Sequence, residues 1–287
     1  MLLYFSMIDL HVHTNASDGQ YSPSDVVQKA AEKGVSVLAV TDHDTVAGLS
    51  EAADAAKKAD IIFVPGIELN IEWPTGEFHL LGLGLNSVTP SLKEVIKFLQ
   101  KKREERNIGM ISRMQDDGID ASYEELQTLF PGRSIGRPHF AAYLVNKKIV
   151  RNSQQAFDKY LAKGRKWYVE RIGANLDESV QAVVDSGGIP VIAHPLSLYL
   201  SWGRMDDVLE DIHERGVEGL EAYHPGAREV DCERLEKLAR IHNFFITAGS
   251  DFHGEKIRAD RKIGHTCGGR KIDDRFYYDE LLPRLAR

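Results

Sequence analysis

The 287-residue chain carries 36 Lys and Arg against 43 Asp and Glu, a net charge of −7 that argues against a broad basic surface for nucleic acid. No apolar run approaches the roughly 20 residues of a membrane-spanning helix, and two cysteines, Cys232 and Cys267, cannot build a disulfide framework. These exclusions point to a cytoplasmic protein with no membrane and no stable protein partner implied, and the length suits one α/β barrel.

Met1 to Ser6 lack the basic and small-residue features of a signal peptide, and Met7 is an equally good start. Ile8 to Val12 reads as a first strand. Ser22-Pro23 supplies an N-cap and first-turn proline for a helix to Lys33, closed by Gly34. Val35 to Val40 is strand-like, Val46 to Lys58 helical, Ile61 to Val64 a third strand and Phe78 to Leu85 a fourth. The alternation predicts parallel strands joined by crossover helices.

From about Pro90 to Leu161 strand-like runs disappear, and charged amphipathic stretches such as Leu92 to Gln115 and Tyr123 to Phe130 predict a helical insertion. Its charged run Lys101 to Arg106 reads as a solvated helix face. Alternation resumes with helices over Leu176 to Ser186, Met205 to Arg215 and Arg228 to His242, and strands over Ile189 to Ala193, Val217 to Tyr223 and Phe244 to Thr247. The expected division is a barrel over 1–89 and 165–287 with an inserted helical cap over 90–164.

The chain has 11 histidines, and their placement matters more than their number. His11 and His13 end the first strand, His43 follows the second, Glu68 the third, His194 follows Val191-Ile192-Ala193, and Asp251 and His253 follow Thr247. In parallel α/β barrels the strand C-termini share one rim, where sites are built. His-x-His on an extended segment aims both rings to one face. Imidazole mixed with carboxylate, and no placed cysteine, suits Zn, Mn or Fe in a hydrolytic site, with Glu68 the candidate bridge between two cations. Asp9 and Asp42, beside these residues, could orient the histidines or bond locally in turns.

Asp9-Leu10-His11-Val12-His13-Thr14, Asp18-Gly19, Thr41-Asp42-His43-Asp44, Pro65-Gly66-Ile67-Glu68, His79, Ala193-His194-Pro195 and Gly249-Ser250-Asp251-Phe252-His253 together resemble the PHP (polymerase and histidinol phosphatase) family. Within it the chain looks like the stand-alone branch that includes nucleoside 3′,5′-bisphosphate phosphatases and 5′-to-3′ exoribonucleases. The resemblance runs from Met7 to near the end and implies an α/β fold, a distorted (β/α)7 barrel with a helical insertion capping the active-site face. It implies two or three divalent metal ions: one on His11, His13, Glu68 and Asp251, a second on Glu68, His79 and His194, a third on Asp18, His43 and His253. No position of this set is substituted.

The implied activity is a metal-dependent phosphoesterase that attacks phosphorus with a metal-activated hydroxide. Its implied substrates are nucleotides: the 3′-phosphate of nucleoside 3′,5′-bisphosphates, or short RNA bearing a 5′-phosphate. Glu68, His194 and Asp251 would be catalytic. Ser134-Ile135-Gly136-Arg137-Pro138-His139 resembles the branch's phosphate-binding segment, so Arg137 would clamp a phosphate with Ser134 and His139 assisting, although Ser134 also suits an N-cap. His224, in Tyr223-His224-Pro225-Gly226, would contact phosphate or donate a proton. Two other readings stand beside this one: a histidinol-phosphate phosphatase with a small amine substrate, and a non-catalytic metal-binding interaction module. Trp73 and Trp167 receive no role.

Overall fold

A computed structural model describes residues 7–286; Met1–Ser6, and with them the choice of start, lie outside the described residues. Seven strands form one sheet in sequence order: β1 (Met7–Val12), β2 (Val35–Val40), β3 (Ile62–Ile71), β4 (Phe78–Leu83), β5 (Ile189–Ile192), β6 (Gly219–Tyr223) and β7 (Phe245–Ala248). Strands β1, β5 and β7 are buried along their whole length, which is why β5 reads as a continuous apolar run rather than an alternating one. Helices α1 (Pro23–Glu32) and α2 (Leu49–Ala59) cover the first strands. α1 starts where Ser22 Oγ accepts from the Asp25 N–H at 3.1 Å and stops before Gly34, whose φ of 77° suits glycine. Past β7 the chain returns to β1, with Asp251 N–H donating to His11 O and His13 N–H to Phe252 O, both at 2.9 Å. The edges therefore meet through a short bridge, as befits a distorted barrel.

Two expectations about the strands need correction. The sheet is not wholly parallel, because β4 runs antiparallel to both β3 and β5. The loop between Ile71 and Phe78 is too short for a parallel crossover, which takes a dozen or more residues. In consequence the N-terminal end of β4, with His79, lies at the rim where parallel strands place their C-terminal ends. Nor does β3 end at Val64, as expected: Pro65 still pairs with Val40 and Gly66 with Leu83. A Cβ on Gly66 would lie 2.8 Å from Thr41 Cγ2, so glycine here lets strands approach rather than turn. Glu68 is thus inside a strand, not after one.

The region beyond Leu85 is helical: α3 (Pro90–Asp116), α4 (Tyr123–Leu129), α5 (Arg137–Asn146) and α6 (Ser153–Ala156), the last running into a π-helical turn, Phe157–Leu161. At 27 residues α3 is about 40 Å long. Its first half buries Leu92, Val95, Ile96 and Leu99 in the main core, and its second half buries Met110, Ile111 and Met114 in a separate core with Phe140, Tyr143 and Leu144. Trp167 belongs to this second core, stacked 4.0 Å from Tyr160 with its indole N–H on Asp117. Between the halves, Arg103, Arg106 and Asn107 are buried. The expected solvated face over Lys101 to Arg106 is therefore wrong for its two arginines, because the helix changes core there and turns them inward.

Helices α7 (Leu176–Asp185), α8 (Trp202–Glu214) and α9 (Glu229–Ile241) pack their apolar stripes on the main core, as does the π-helical turn Phe276–Leu281 near the C-terminus. No helix among the described residues is long and apolar enough to cross a membrane.

Candidate active site

Of the titratable residues singled out at the rim, Asp18, His43, Glu68, His79, His194, Asp251 and His253 line one cleft of about 820 Å³, walled on one side by strand ends and on the other by α3, α5 and the segment Tyr168 to Arg171, while His11 and His13 are fully buried behind Glu68 and Asp251. Four overlapping groups bring ligand atoms within 4.8 Å of one another: His13, Asp18, His43 and His253; His11, Glu68 and His194; His11, His13 and Asp251; His43, Glu68 and His79. Between them they comprise the whole expected ligand set, though His13 joins the Asp18 group and His43 shares a group with Glu68 and His79.

Glu68 sits at the centre, 1% exposed. Its Oε1 lies 2.9 Å from His79 Nδ1 and 3.0 Å from His194 Nε2; its Oε2 lies 2.9 Å from His43 Nδ1, 3.3 Å from His13 Nε2 and 3.5 Å from His11 Nε2. His11 and His13, two apart on β1, bring their Nε2 atoms to 3.1 Å. Asp251 Oδ1 stands 3.4 Å from His13 Nε2 and 3.8 Å from His11 Nε2. Asp18 Oδ1 is 3.3 Å from His253 Nε2.

These groups fit divalent cations. His13 Nδ1, Asp18 Oδ1, His43 Nδ1 and Glu68 Oε2 are buried and make no well-directed hydrogen bond, although Glu68 Oε2 lies 2.9 Å from His43 Nδ1 and Asp18 Oδ1 3.3 Å from His253 Nε2. Cations held by the overlapping groups, rather than a single ion, would supply partners to these atoms. The electrostatics show the same crowding. Burial, reinforced by neighbouring His253, pushes His13 down to about 3, whereas His253, stacked 3.9 Å away, is raised against its burial to about 9 by Asp18 and Asp251.

The supporting shell explains how these side chains are aimed. Glu221 on β6 was not anticipated: its Oε1 lies 3.0 Å from His11 Nδ1, and its Oε2 accepts from the His194 N–H at 2.8 Å. With Nδ1–H directed to Glu221, His11 turns the lone pair of Nε2 into the cluster. A glutamate inside a buried strand was the available signal. Gly249 is needed beside it, since a Cβ there would lie 2.2 Å from His11 Cβ and 2.6 Å from Glu221 Oε1. Asp9 and Asp42 bond turns rather than histidine rings. Asp9 accepts from Ser250 and Gly264 N–H, and Asp42 from Thr14 and Ser17, so both fix loops that carry ligands. His194 and Asp251 have φ of 29° and 51°, conformations that non-glycine residues keep only where the surroundings enforce them.

The cap-side wall is cationic. Arg103, Arg106, Arg137 and Arg171 line the cleft. Arg103 Nη2 donates to Asp44 Oδ2 at 2.8 Å, Arg171 donates to the same oxygen, and Arg137 Nη2 donates to Glu77 Oε1 at 2.9 Å. Arg106 is 6% exposed and donates to Asn107 Oδ1 from both Nε and Nη2; among the described residues it has no carboxylate partner. Burial and the neighbouring Arg103 lower its pKa. Arg103, Arg106 and Arg171 were missed because their positions in sequence carry no motif.

The expected substrate residues divide. Arg137 and His224 line the cleft. His224 Nδ1 accepts from the Gly226 N–H at 3.0 Å, and Nε2 lies 3.3 Å from Asp251 Oδ2. Arg261, unanticipated, lines the same side with Nε 3.8 Å from Asp251 Oδ2. Ser134 and His139 do not line the cleft. Ser134 precedes the helix start, and His139 is buried with Nδ1 accepting from the Gly136 N–H at 3.0 Å, which caps α5.

Comparison with known proteins agrees with this geometry. The family model for the PHP domain matches residues 9–171. A 3′,5′-nucleoside bisphosphate phosphatase of Chromobacterium violaceum is 33% identical over 260 residues, 90% of this chain and 91% of the relative. A 5′-3′ exoribonuclease of Haemophilus influenzae is 33% identical over 245 residues, 85% of this chain and 89% of the relative. A crystal structure from Bifidobacterium adolescentis, provisionally described as a metal-dependent phosphoesterase, superposes with a TM-score of 0.82 at 27% identity, covering 96% of this chain and 95% of its own. With the histidine and carboxylate cluster at the rim of the sheet, these matches establish that the chain belongs to the PHP domain family.

Proposed function

We propose that the chain is a metal-dependent phosphoesterase that removes the 3′-phosphate from nucleoside 3′,5′-bisphosphates and shortens short 5′-phosphorylated RNA. The observation that carries the substrate reading is the charge of the cap-side wall. Of the four guanidinium groups, three are paired with two carboxylates, Asp44 and Glu77; Glu72 and Glu170 also line the cleft, but Arg106 is buried with no carboxylate partner among the described residues. An unpaired buried charge is costly, and a phosphate away from the reacting centre would neutralise it through the planar guanidinium fork.

In this reading His11, His13, Glu68 and Asp251 hold one cation, Glu68, His79 and His194 a second, and Asp18, His43 and His253 a third. Mn, Zn and Fe all suit these donors. Such cations supply Lewis acidity to the phosphoryl oxygens and acidify water. Glu221 holds His11, and through the His194 backbone it holds the opposite side of the cluster, so both histidines stay aimed without substrate. Glu77 and Asp44 keep Arg137, Arg103 and Arg171 extended towards the cleft. The Gly226 N–H on Nδ1 of His224 leaves the neutral ring's proton on Nε2. That proton is directed at Asp251 Oδ2, 3.3 Å away, and a phosphoryl oxygen or leaving alkoxide that takes the carboxylate's place as acceptor would receive it.

A histidinol-phosphate phosphatase would bind an amine beside the phosphate, and a wall of arginines repels one. The relatives named as bisphosphate phosphatase and exoribonuclease favour the nucleotide reading. The test is release of phosphate from adenosine 3′,5′-bisphosphate, and of mononucleotides from a 5′-phosphorylated RNA oligonucleotide, with Mn²⁺ supplied and Glu68→Gln as control. Turnover of the first makes it a bisphosphate phosphatase; stepwise shortening of the second makes it an exoribonuclease. Inactivity on both, with metal bound, overturns the substrate assignment and favours the interaction-module reading.

A further inference from the structure

Tyr199 is the most exposed large hydrophobic residue described, at 75%, and it lines the mouth of the cleft. It is also held in the left-handed region, with φ 52° and ψ 43°, a conformation costly for a bulky side chain. A ring that buries so little contributes little to the core, so core packing does not explain it. Left-handed backbone of this kind persists only where its surroundings hold it, and it concentrates at functional sites.

The surroundings here are well defined. Tyr199 ends the single 3₁₀ turn Pro195–Leu198 that begins at His194, so the turn has a cluster histidine at one end and the aromatic ring at the other. The loop between β3 and β4 clamps it. Thr75 Oγ1 donates to Leu198 O at 2.7 Å, the Glu77 N–H donates to Ser197 O at 2.8 Å, and Ser197 Oγ donates back to Glu77 O at 2.8 Å. Gly76 permits the contact, for a Cβ there would lie 2.1 Å from Ser197 O and 2.7 Å from Tyr199 Cδ2. The ring therefore leans on a backbone without a side chain and leaves the rest of its surface free. The next residue along that loop, Glu77, accepts from Arg137. Tyr199 and Arg137 thus meet the same loop at successive residues, Gly76 and Glu77, and both line the cleft.

We propose that Tyr199 is the base-stacking platform of this site, taking the nucleobase of a substrate whose phosphate is held by the adjacent arginine wall. The proposal rests on the nucleotide reading above. Stacking on a fixed ring is tolerant of base identity, since every base has a π-face, so Tyr199 selects for the presence of a base rather than for its sequence. Its hydroxyl has no part in this.

The test compares the wild-type protein with Tyr199→Ala and Tyr199→Phe on adenosine 3′,5′-bisphosphate and on an abasic tetrahydrofuran 3′,5′-bisphosphate. Because the residue is exposed, neither substitution disturbs folding. Tyr199→Ala should raise KM for the adenosine substrate about tenfold, leave kcat within about twofold and leave KM for the abasic substrate unchanged, while Tyr199→Phe behaves as wild type. An unchanged KM in Tyr199→Ala, or an equal rise on both substrates, overturns the proposal. A second measurement does not depend on turnover: fluorescence of 2-aminopurine riboside 3′,5′-bisphosphate, which stacking quenches, added to metal-free protein. Quenching by wild type and Tyr199→Phe but not by Tyr199→Ala supports the platform even if no substrate is hydrolysed; equal quenching by all three sinks it. Loss of hydrolysis by the wild type itself would count against the nucleotide phosphoesterase reading, not against the stacking.

Discussion

Glu221 and His11 are joined by a 3.0 Å contact between a strand-interior carboxylate and the ring nitrogen facing away from the cluster. The partner of the outward nitrogen decides which tautomer is present and how basic the inner nitrogen is. Replacing Glu221 with Gln keeps the shape and removes the charge, so affinity for the divalent cation should fall about 10- to 100-fold, with the fold intact by circular dichroism. Competition titration against a fluorescent chelator reads this, and unchanged affinity would show that His11 is aimed by packing alone.

Cation binding should also appear as stability. The four buried cluster atoms that make no well-directed hydrogen bond gain ligands only in the folded state, so Mn²⁺ should raise the unfolding free energy of metal-free protein by about 2.7 kcal/mol at one hundred times its Kd. Differential scanning calorimetry across a Mn²⁺ series measures the rise. Glu68→Gln should lose most of it, because both oxygens of Glu68 face ring nitrogens. A Tm that ignores metal in the wild type would contradict the assignment.

Arg106 sets stability against function. Arg106→Met keeps the volume and deletes a buried cation without a carboxylate partner, so the substrate-free protein should be as stable as wild type or more stable, by up to ~1–4 kcal/mol. The same variant should raise KM for adenosine 3′,5′-bisphosphate by at least about tenfold and leave KM for adenosine 3′-monophosphate, which lacks the second phosphate, nearly unchanged. Equal losses on the two substrates would mean that Arg106 supports the cap rather than a phosphate.

His139 predicts a pH dependence. Burial lowers its pKa from 6.5 to about 4, so as pH falls below 6.5 the unfolded chain takes up this proton before the folded one does. Its contribution is complete above pH 6.5 and is lost as pH falls towards 4, amounting to about 3 kcal/mol at about 1.4 kcal/mol per unit. His139→Asn can still accept from the Gly136 N–H and cannot titrate. Guanidinium unfolding at pH 7.5 and pH 5 should therefore show a smaller loss in the variant than in the wild type; parallel losses would exclude His139 as the cause.

The rim was legible in the sequence because its chemistry is local. Each ligand-bearing motif follows an apolar run, and strand ends share one edge, so His11, His43, His194 and Asp251 could be brought together before any coordinates. His79 was legible only through family resemblance, since its place at the rim depends on β4 running against its neighbours, and chain direction leaves no mark in a short apolar run. Apart from Arg137, the cap wall was illegible for a different reason. Lys101 to Arg106 looks the same whether a helix face meets water or a cleft, and only the passage of α3 from one core to another turns Arg103 and Arg106 inward. Tyr199 was hidden because nothing in Leu198-Tyr199-Leu200 announces a left-handed residue.

That passage of α3 between cores has a mechanical meaning. A continuous helix anchored by Leu92, Val95 and Leu99 at one end and by Met110 and Met114 at the other behaves as a strut, and absorbing a large rotation would mean breaking its hydrogen-bond ladder between the anchors. Enzymes that close over a substrate place their hinges in loops or element ends. Here the gap between wall and rim is held at fixed height. In the proposed function, substrate would enter a cleft whose wall is carried by a strut rather than by a hinged lid.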